Sequence, residues 1–119
     1  MKVYCYERCS TCKKALKWLD EKGIHAEVID IKGDNPDESV LRSAQALSGQ
    51  PLRKFFNTSG QLYRSMELSA KLPAMSEEEQ FALLASDGML VKRPLVLGGD
   101  FVLLGFKEKE WEEKLIKTP

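Results

Sequence analysis

Two rhythms of apolar positions alternate along this chain. Residues 2–6 (Lys-Val-Tyr-Cys-Tyr) and 26–31 (Ala-Glu-Val-Ile-Asp-Ile) are short, apolar-rich runs with the character of strands. Between them Cys12, Leu16 and Leu19 recur at i, i+4 and i+7, the spacing of one helix face. The pattern predicts a helix from Ser10 to Lys22, with Gly23 as its C-terminal cap. A strand, a helix and a strand within about 30 residues predict a βαβ unit with parallel strands.

The middle of the chain keeps the helical rhythm. Asn35-Pro36 reads as a cap and first-turn proline for a helix running through Val40, Leu41, Ala44 and Leu47 to Gly49. Residues 51–56 read as one helical turn and Asn57-Thr58-Ser59-Gly60 as a loop. Ser76-Glu77-Glu78-Glu79 has the capping-box pattern, opening a helix with Phe81, Leu84 and Ala85 on one face and an end near Gly88. After Arg93-Pro94 the rhythm returns to strands. Leu95-Val96-Leu97 and Phe101-Val102-Leu103-Leu104 flank Gly98-Gly99-Asp100 and predict a β-hairpin. A last helix is expected over about Glu108 to Lys117, with Trp111 and Leu115 inward. This order predicts an α/β, thioredoxin-like fold. A four-stranded mixed sheet is built from a βαβ half and a ββα half. A helical insertion at about 36–90 covers the end of the sheet that carries the cysteines, and residues 1–119 form a single domain.

Composition narrows the function. The 119 residues carry 18 basic and 18 acidic side chains, a formal net charge of zero, so direct nucleic-acid binding is not expected. No apolar run reaches the length of a membrane span and no signal-peptide pattern opens the chain. Three cysteines, an odd number, argue against a secreted disulfide framework. A cytoplasmic setting without membrane contact is the expectation.

Cys9-Ser10-Thr11-Cys12 stands at the first strand-to-helix junction, the arrangement of a redox dithiol. A helix N-terminus carries partial positive charge and free N–H groups, which favour a thiolate. Arg8, Lys13 and Lys14 add charge around it. Cys9 precedes the first helical turn and Cys12 falls on the packed face. Cys9 is therefore expected to be the attacking thiolate, with the lowest thiol pKa, and Cys12 the resolving thiol. The two should be able to form a disulfide. Zinc needs about four ligands, and the candidates are only Cys5, Cys9, Cys12 and His25, so no metal is expected. Cys5 reads as a small buried residue with room for a role as an alternative resolving thiol. Trp18, Trp111, Met66, Met75 and Met89 read as packing residues and His25 as a turn residue.

The chain resembles the arsenate reductase/Spx family of thioredoxin-like bacterial proteins over essentially its whole length. The residues that carry the likeness are Tyr4 and Cys9-Ser10-Thr11-Cys12-Lys13-Lys14-Ala15-Leu16, Asn57-Thr58-Ser59-Gly60 with Tyr63, Lys92-Arg93-Pro94-Leu95-Val96, and Gly105-Phe106-Lys107. The resemblance implies that Cys9 is the catalytic cysteine and that Cys12 matches the second redox cysteine of Spx. It implies that Arg93 binds an oxyanion or tunes the site and that Pro94 is the cis-proline beside the cysteines. Cys5 stands where the reductases have a histidine and Asn57 where they have a second arginine. A third arginine maps near Phe106 or Lys107. Lys13 and Lys107 are candidate substitutes in binding substrate. The implied activity is thiol–disulfide exchange or arsenate reduction without a bound cofactor. A thiol reductant such as glutathione with glutaredoxin, or thioredoxin, would supply electrons, and the substrate would be a small oxyanion or a disulfide. The alternative is an Spx-like redox-sensing regulator that contacts RNA polymerase.

Overall fold

The computed structural model describes residues 1–116. Four strands, β1 (Lys2–Cys5), β2 (Glu27–Asp30), β3 (Leu95–Leu97) and β4 (Val102–Leu104), form one sheet in the order β2-β1-β3-β4. β1 pairs parallel with β2 and antiparallel with β3, and β3 pairs antiparallel with β4. This is the mixed βαβ-plus-ββα sheet that the order of elements predicts. Among the described residues the α-helices are α1 (Ser10–Glu21), α2 (Glu38–Ser48), α3 (Gln61–Ser65), α4 (Leu68–Lys71), α5 (Glu77–Ser86) and α6 (Glu108–Leu115). Lys117, the last residue expected in the final helix, lies outside the described residues. None of the described helices is long and apolar enough to cross a membrane.

Successive residues of a strand face opposite sides of a sheet, and here each side has its own core. Val3 and Cys5 of β1, Val96 of β3 and Leu103 of β4 pack against Cys12, Ala15, Trp18 and Leu19 of α1 and Trp111 of α6. Tyr4 and Leu95 face the other way, onto Leu41 and Ala44 of α2, Phe81 and Leu84 of α5, and Phe55 and Phe56. Leu16, expected on the packed face of α1, is half-buried at the edge of its cluster, and Ala15 takes the fully buried place.

Local chemistry sets the helix ends. The Ser76 hydroxyl accepts from Glu79 N–H at 3.1 Å and Glu79 Oε1 accepts from Ser76 N–H at 3.0 Å, the predicted capping box. α2 begins later than the sequence suggested. Asp37, not Asn35, is its cap, with Oδ1 accepting from Val40 N–H at 2.9 Å. Asn35 Nδ2 instead donates to the Ala85 carbonyl at 2.7 Å, tying the start of the insertion to the end of α5. That tertiary bond removes Asn35 from the capping position. The insertion also does more than cover the cysteine end: α2 and α5 blanket one face of the sheet, while residues 57–65 reach around to the cysteines.

Candidate functional site

Cys9 is the N-cap residue of α1, with extended backbone (φ −86°, ψ 120°). Its N–H donates to the Tyr6 carbonyl at 3.0 Å and its carbonyl accepts from Lys13 N–H at 3.0 Å, which closes the turn between strand and helix. No side chain caps this helix and no acid sits in its first turn, so its positive end is left uncompensated beneath Cys9. Cys9 is half-buried and lines a cavity of about 1330 Å³. Cys12, one turn on, is 1% exposed and does not line it. The division into an outer and an inner sulfur therefore follows from the two places on one helical turn. All three cysteines are free thiols.

The hydrogen-bond donors converge on Cys12 rather than Cys9. Cys5, on the strand face that meets α1, donates to the Cys12 sulfur and holds its thiol below the ordinary value, at about 6. Burial opposes this, while the Tyr6 N–H, 3.4 Å from Cys12 Sγ, the Cys9 thiol and the Arg93 charge all reinforce it. Cys5 is pushed far up by the same contact with Cys12 and by burial, then by the charges of Cys12 and Cys9. These donors therefore favour a thiolate on the inner sulfur. Cys5 at the end of β1 and the N–H of Tyr6, the next residue, both serve the inner sulfur. Alternation along β1 was the available signal, since it puts Cys5 on the α1 side with Val3.

Arg93 reaches the same cavity. Its peptide bond to Pro94 is cis, the isomer that the resemblance implies. The guanidinium lies over the Tyr6 ring at 5.2 Å, Nη1 donates to the Met89 carbonyl at 3.4 Å, and Nε is buried without an acceptor among the described residues. Lys107 lines the cavity as well, and Asn57, 8% exposed, forms part of its wall. Lys13 does not join them. It is exposed on α1 and absent from the cavity lining, because position N4 of the helix turns away from the mouth. In its place the cavity carries Lys92, which the sequence shows only as part of the Lys92-Arg93-Pro94 motif, and Arg64, which no motif marks. Arg64 sits on α3, a short helix after an irregular loop, so no periodic pattern fixes where it points.

The rim is held from below by aromatics. Trp111 Nε1 donates to the Gly105 carbonyl at 3.1 Å, and the Phe106 and Trp111 rings meet edge-on with centroids 4.9 Å apart. Trp18 stacks edge-on against both, and its Nε1 donates to Glu108 Oε1 at 3.1 Å. Gly105 adopts φ 74°, a conformation suited to glycine, and so turns the chain after β4 toward the cavity. His25 is exposed, away from the site. No set of three or more His, Cys, Asp or Glu side chains among the described residues is arranged to hold a metal ion.

The ArsC family model matches residues 4–114, nearly the whole chain. The chain belongs to the ArsC family. Its relatives include the uncharacterized protein YusI of Bacillus subtilis, 51% identical over 110 residues covering 92% of this chain and 93% of YusI. An ArsC-family-related protein of Bacteroides fragilis, solved as a crystal structure, superposes with a TM-score of 0.92 at 54% identity, covering 94% of each chain. The family relationship extends to arsenate reductases and Spx regulators. An arsenate reductase of Neisseria meningitidis is 29% identical over 88% of this chain and 89% of its own length. The global transcriptional regulator Spx 2 of Bacillus cereus is 23% identical over 91% of this chain and 81% of its own length. The architecture is accordingly the thioredoxin-like fold of ArsC proteins.

Proposed function

We propose that this ArsC-family protein is a thiol–disulfide oxidoreductase with Cys9 as nucleophile and Cys12 as resolving thiol. The observation that carries the reading is the pairing of an accessible sulfur on a basic cavity with a buried, hydrogen-bonded sulfur one turn behind it. The Cys12 thiolate accepts the Cys9 proton as Cys9 attacks one sulfur of a substrate disulfide. The first half of the substrate leaves as a thiolate and the second stays bonded to Cys9. The departed thiolate takes up the proton from Cys12. Cys12 then attacks the Cys9 sulfur, the Cys9–Cys12 disulfide forms, and the second half leaves. A thiol reductant such as glutathione with glutaredoxin, or thioredoxin, reverses this disulfide by two-electron exchange and closes the cycle. Reducing cytoplasm suits such chemistry.

Arg93, Lys92, Lys107 and Arg64 line the cavity against one acid, Asp87, which suits a substrate bearing negative charge. The volume of about 1330 Å³ accommodates a disulfide of peptide size. Arsenate reduction uses the same nucleophile, and kinship to arsenate reductases keeps it as the comparison substrate. The test is a turnover panel. Glutathione mixed disulfide, insulin disulfide and arsenate are each supplied with glutathione and glutaredoxin or with thioredoxin and its reductase. Catalytic reduction of a disulfide supports the reading. Turnover of arsenate alone replaces it. A second reading, an Spx-like regulator that docks on RNA polymerase, is favoured by the kinship to Spx 2. Redox-dependent binding to polymerase in the absence of any turnover would select it.

A further inference from the structure

Cys5 has no part in the exchange just described, yet it faces the resolving sulfur. Cys5 is 4% exposed, Cys12 1%, and both belong to the same packed cluster between β1 and α1. Cys12 packs with Cys5 in that cluster, and Cys9 lies one helical turn before Cys12 at its edge. The three sulfurs thus form a relay with Cys12 in the middle. Only its outer member opens onto the cavity.

We propose that Cys5 is a second resolving thiol, which moves the disulfide inward to Cys5–Cys12 and sets Cys9 free again. The inference rests on the Cys9–Cys12 exchange proposed above. In the added step the Cys5 thiolate attacks the Cys12 sulfur of the Cys9–Cys12 disulfide. The Cys5–Cys12 bond forms, the Cys9–Cys12 bond breaks, and Cys9 leaves as the thiolate. The proton lost by Cys5 returns to Cys9 or to solvent, and no electrons enter or leave. In the resting protein, contact with Cys12 is the largest influence holding Cys5 protonated, ahead of burial and the charges of Cys12 and Cys9. Once Cys9 and Cys12 are joined neither carries charge, and burial alone remains to oppose ionisation of Cys5. The oxidised protein then stores its disulfide beneath β1 and α1 with a reactive thiol still on the cavity. A disulfide so placed is screened from solvent reductants and is reopened chiefly by Cys9, in the reverse of the same step.

The experiment oxidises full-length wild-type protein with diamide, alkylates it under denaturing conditions, and reads disulfide linkage by peptide mass spectrometry. Cys5→Ser and Cys5→Ala variants run alongside, with circular dichroism confirming that each is folded. The expected result in wild type is a Cys5–Cys12 link in more than roughly one tenth of the oxidised protein. That fraction places the two pairings within about 30 mV of one another. Oxidised wild type should also retain a Cys9 that alkylates in the folded state. Folded, oxidised Cys5 variants should lose that labelling at least tenfold, because their only pairing consumes Cys9. Oxidised wild type with only the Cys9–Cys12 link and Cys5 always free overturns the relay and leaves the exchange reaction standing. Oxidised wild type with no link among the three cysteines overturns both.

Discussion

Replacing Cys5 with alanine takes a hydrogen-bond donor from Cys12 and should push its thiol back toward the ordinary range. With the thiol at about 6, the Cys12 sulfur is about nine-tenths ionised at neutral pH. The Cys5 contact is the largest influence on it. A hydrogen bond to a charged group is worth about 1.5–3 kcal/mol, so its loss moves the titration up by roughly one to two pH units. The ionised fraction at neutral pH then falls to below about half. The assay is thiolate ultraviolet absorbance against pH, with Cys9→Ser compared with Cys5→Ala/Cys9→Ser, so that Cys12 supplies the signal near neutrality. Linkage gives an independent reading. The folded-state pKa of Cys12, about 6, lies below its ordinary 9.0. Between these values the unfolded chain binds more protons than the folded one. Stability from this group is therefore fully present above about pH 9, shrinks as pH falls, and is gone below about pH 6, with a slope of at most about 1.4 kcal/mol per pH unit. Cys5 acts with the opposite sign. It stays protonated in the fold, so ionisation of the unfolded chain above its ordinary 9.0 lowers stability there. Cys5→Ala should flatten the first slope and remove the second. An unchanged Cys12 titration in the double variant would refute the assignment of Cys5 as its main donor.

Arg93→Met should raise KM for an anionic disulfide by roughly tenfold, about 1.4 kcal/mol, and weaken the salt dependence of turnover; steady-state kinetics at two ionic strengths check this. Asp37→Ala should cost about 1 kcal/mol and lower Tm by about 4 °C in a thermal melt, whereas Asn35→Ala should leave the start of α2 capped and act through the lost Ala85 bond. Gly88→Ala should be far worse than either, because an added Cβ would collide with the backbone carbonyl of Ile31; denaturant titration should show a loss of more than about 3 kcal/mol or no folded protein. Trp111→Phe should keep most of the packing but release the Gly105 carbonyl, costing about 1–2 kcal/mol and loosening the cavity rim, which hydrogen exchange at residues 105–107 would report.

The strands and the major helices were legible because period two and the helical period are sharp where one face is buried. Val3, Cys5, Val96 and Leu103 against Tyr4 and Leu95 show that logic in the sheet. The Cys9–Cys12 spacing at a strand–helix junction marked the candidate site, and Cys9 and Arg93 line one cavity. What escaped depends on contacts between distant segments. Asn35 is bound by Ala85, 50 positions away, so it does not cap. Arg64, on a helix of only five residues, and Lys92, outside any helix or strand, reach the cavity from places that no periodic pattern marks. Lys13 is excluded by the pitch of α1, a detail that charge counting overlooks. The Cys12 thiolate rests first on Cys5, which alternation along β1 puts on the α1 side, and then on a backbone N–H of Tyr6, a group every sequence carries and no residue code displays.

The central claim, nucleophilic exchange at Cys9 resolved by Cys12, is tested most directly by trapping. Cys12→Ser protein is incubated with oxidised glutathione at alkaline pH, where hydroxide replaces the Cys12 thiolate as base, then quenched with acid, and its intact mass and modified peptide are determined. The expected product is a stable mixed disulfide with one glutathionyl group on Cys9, formed in wild type only transiently before the Cys9–Cys12 link replaces it. No adduct on Cys9, or an adduct that accumulates equally in wild type and variant, would contradict it.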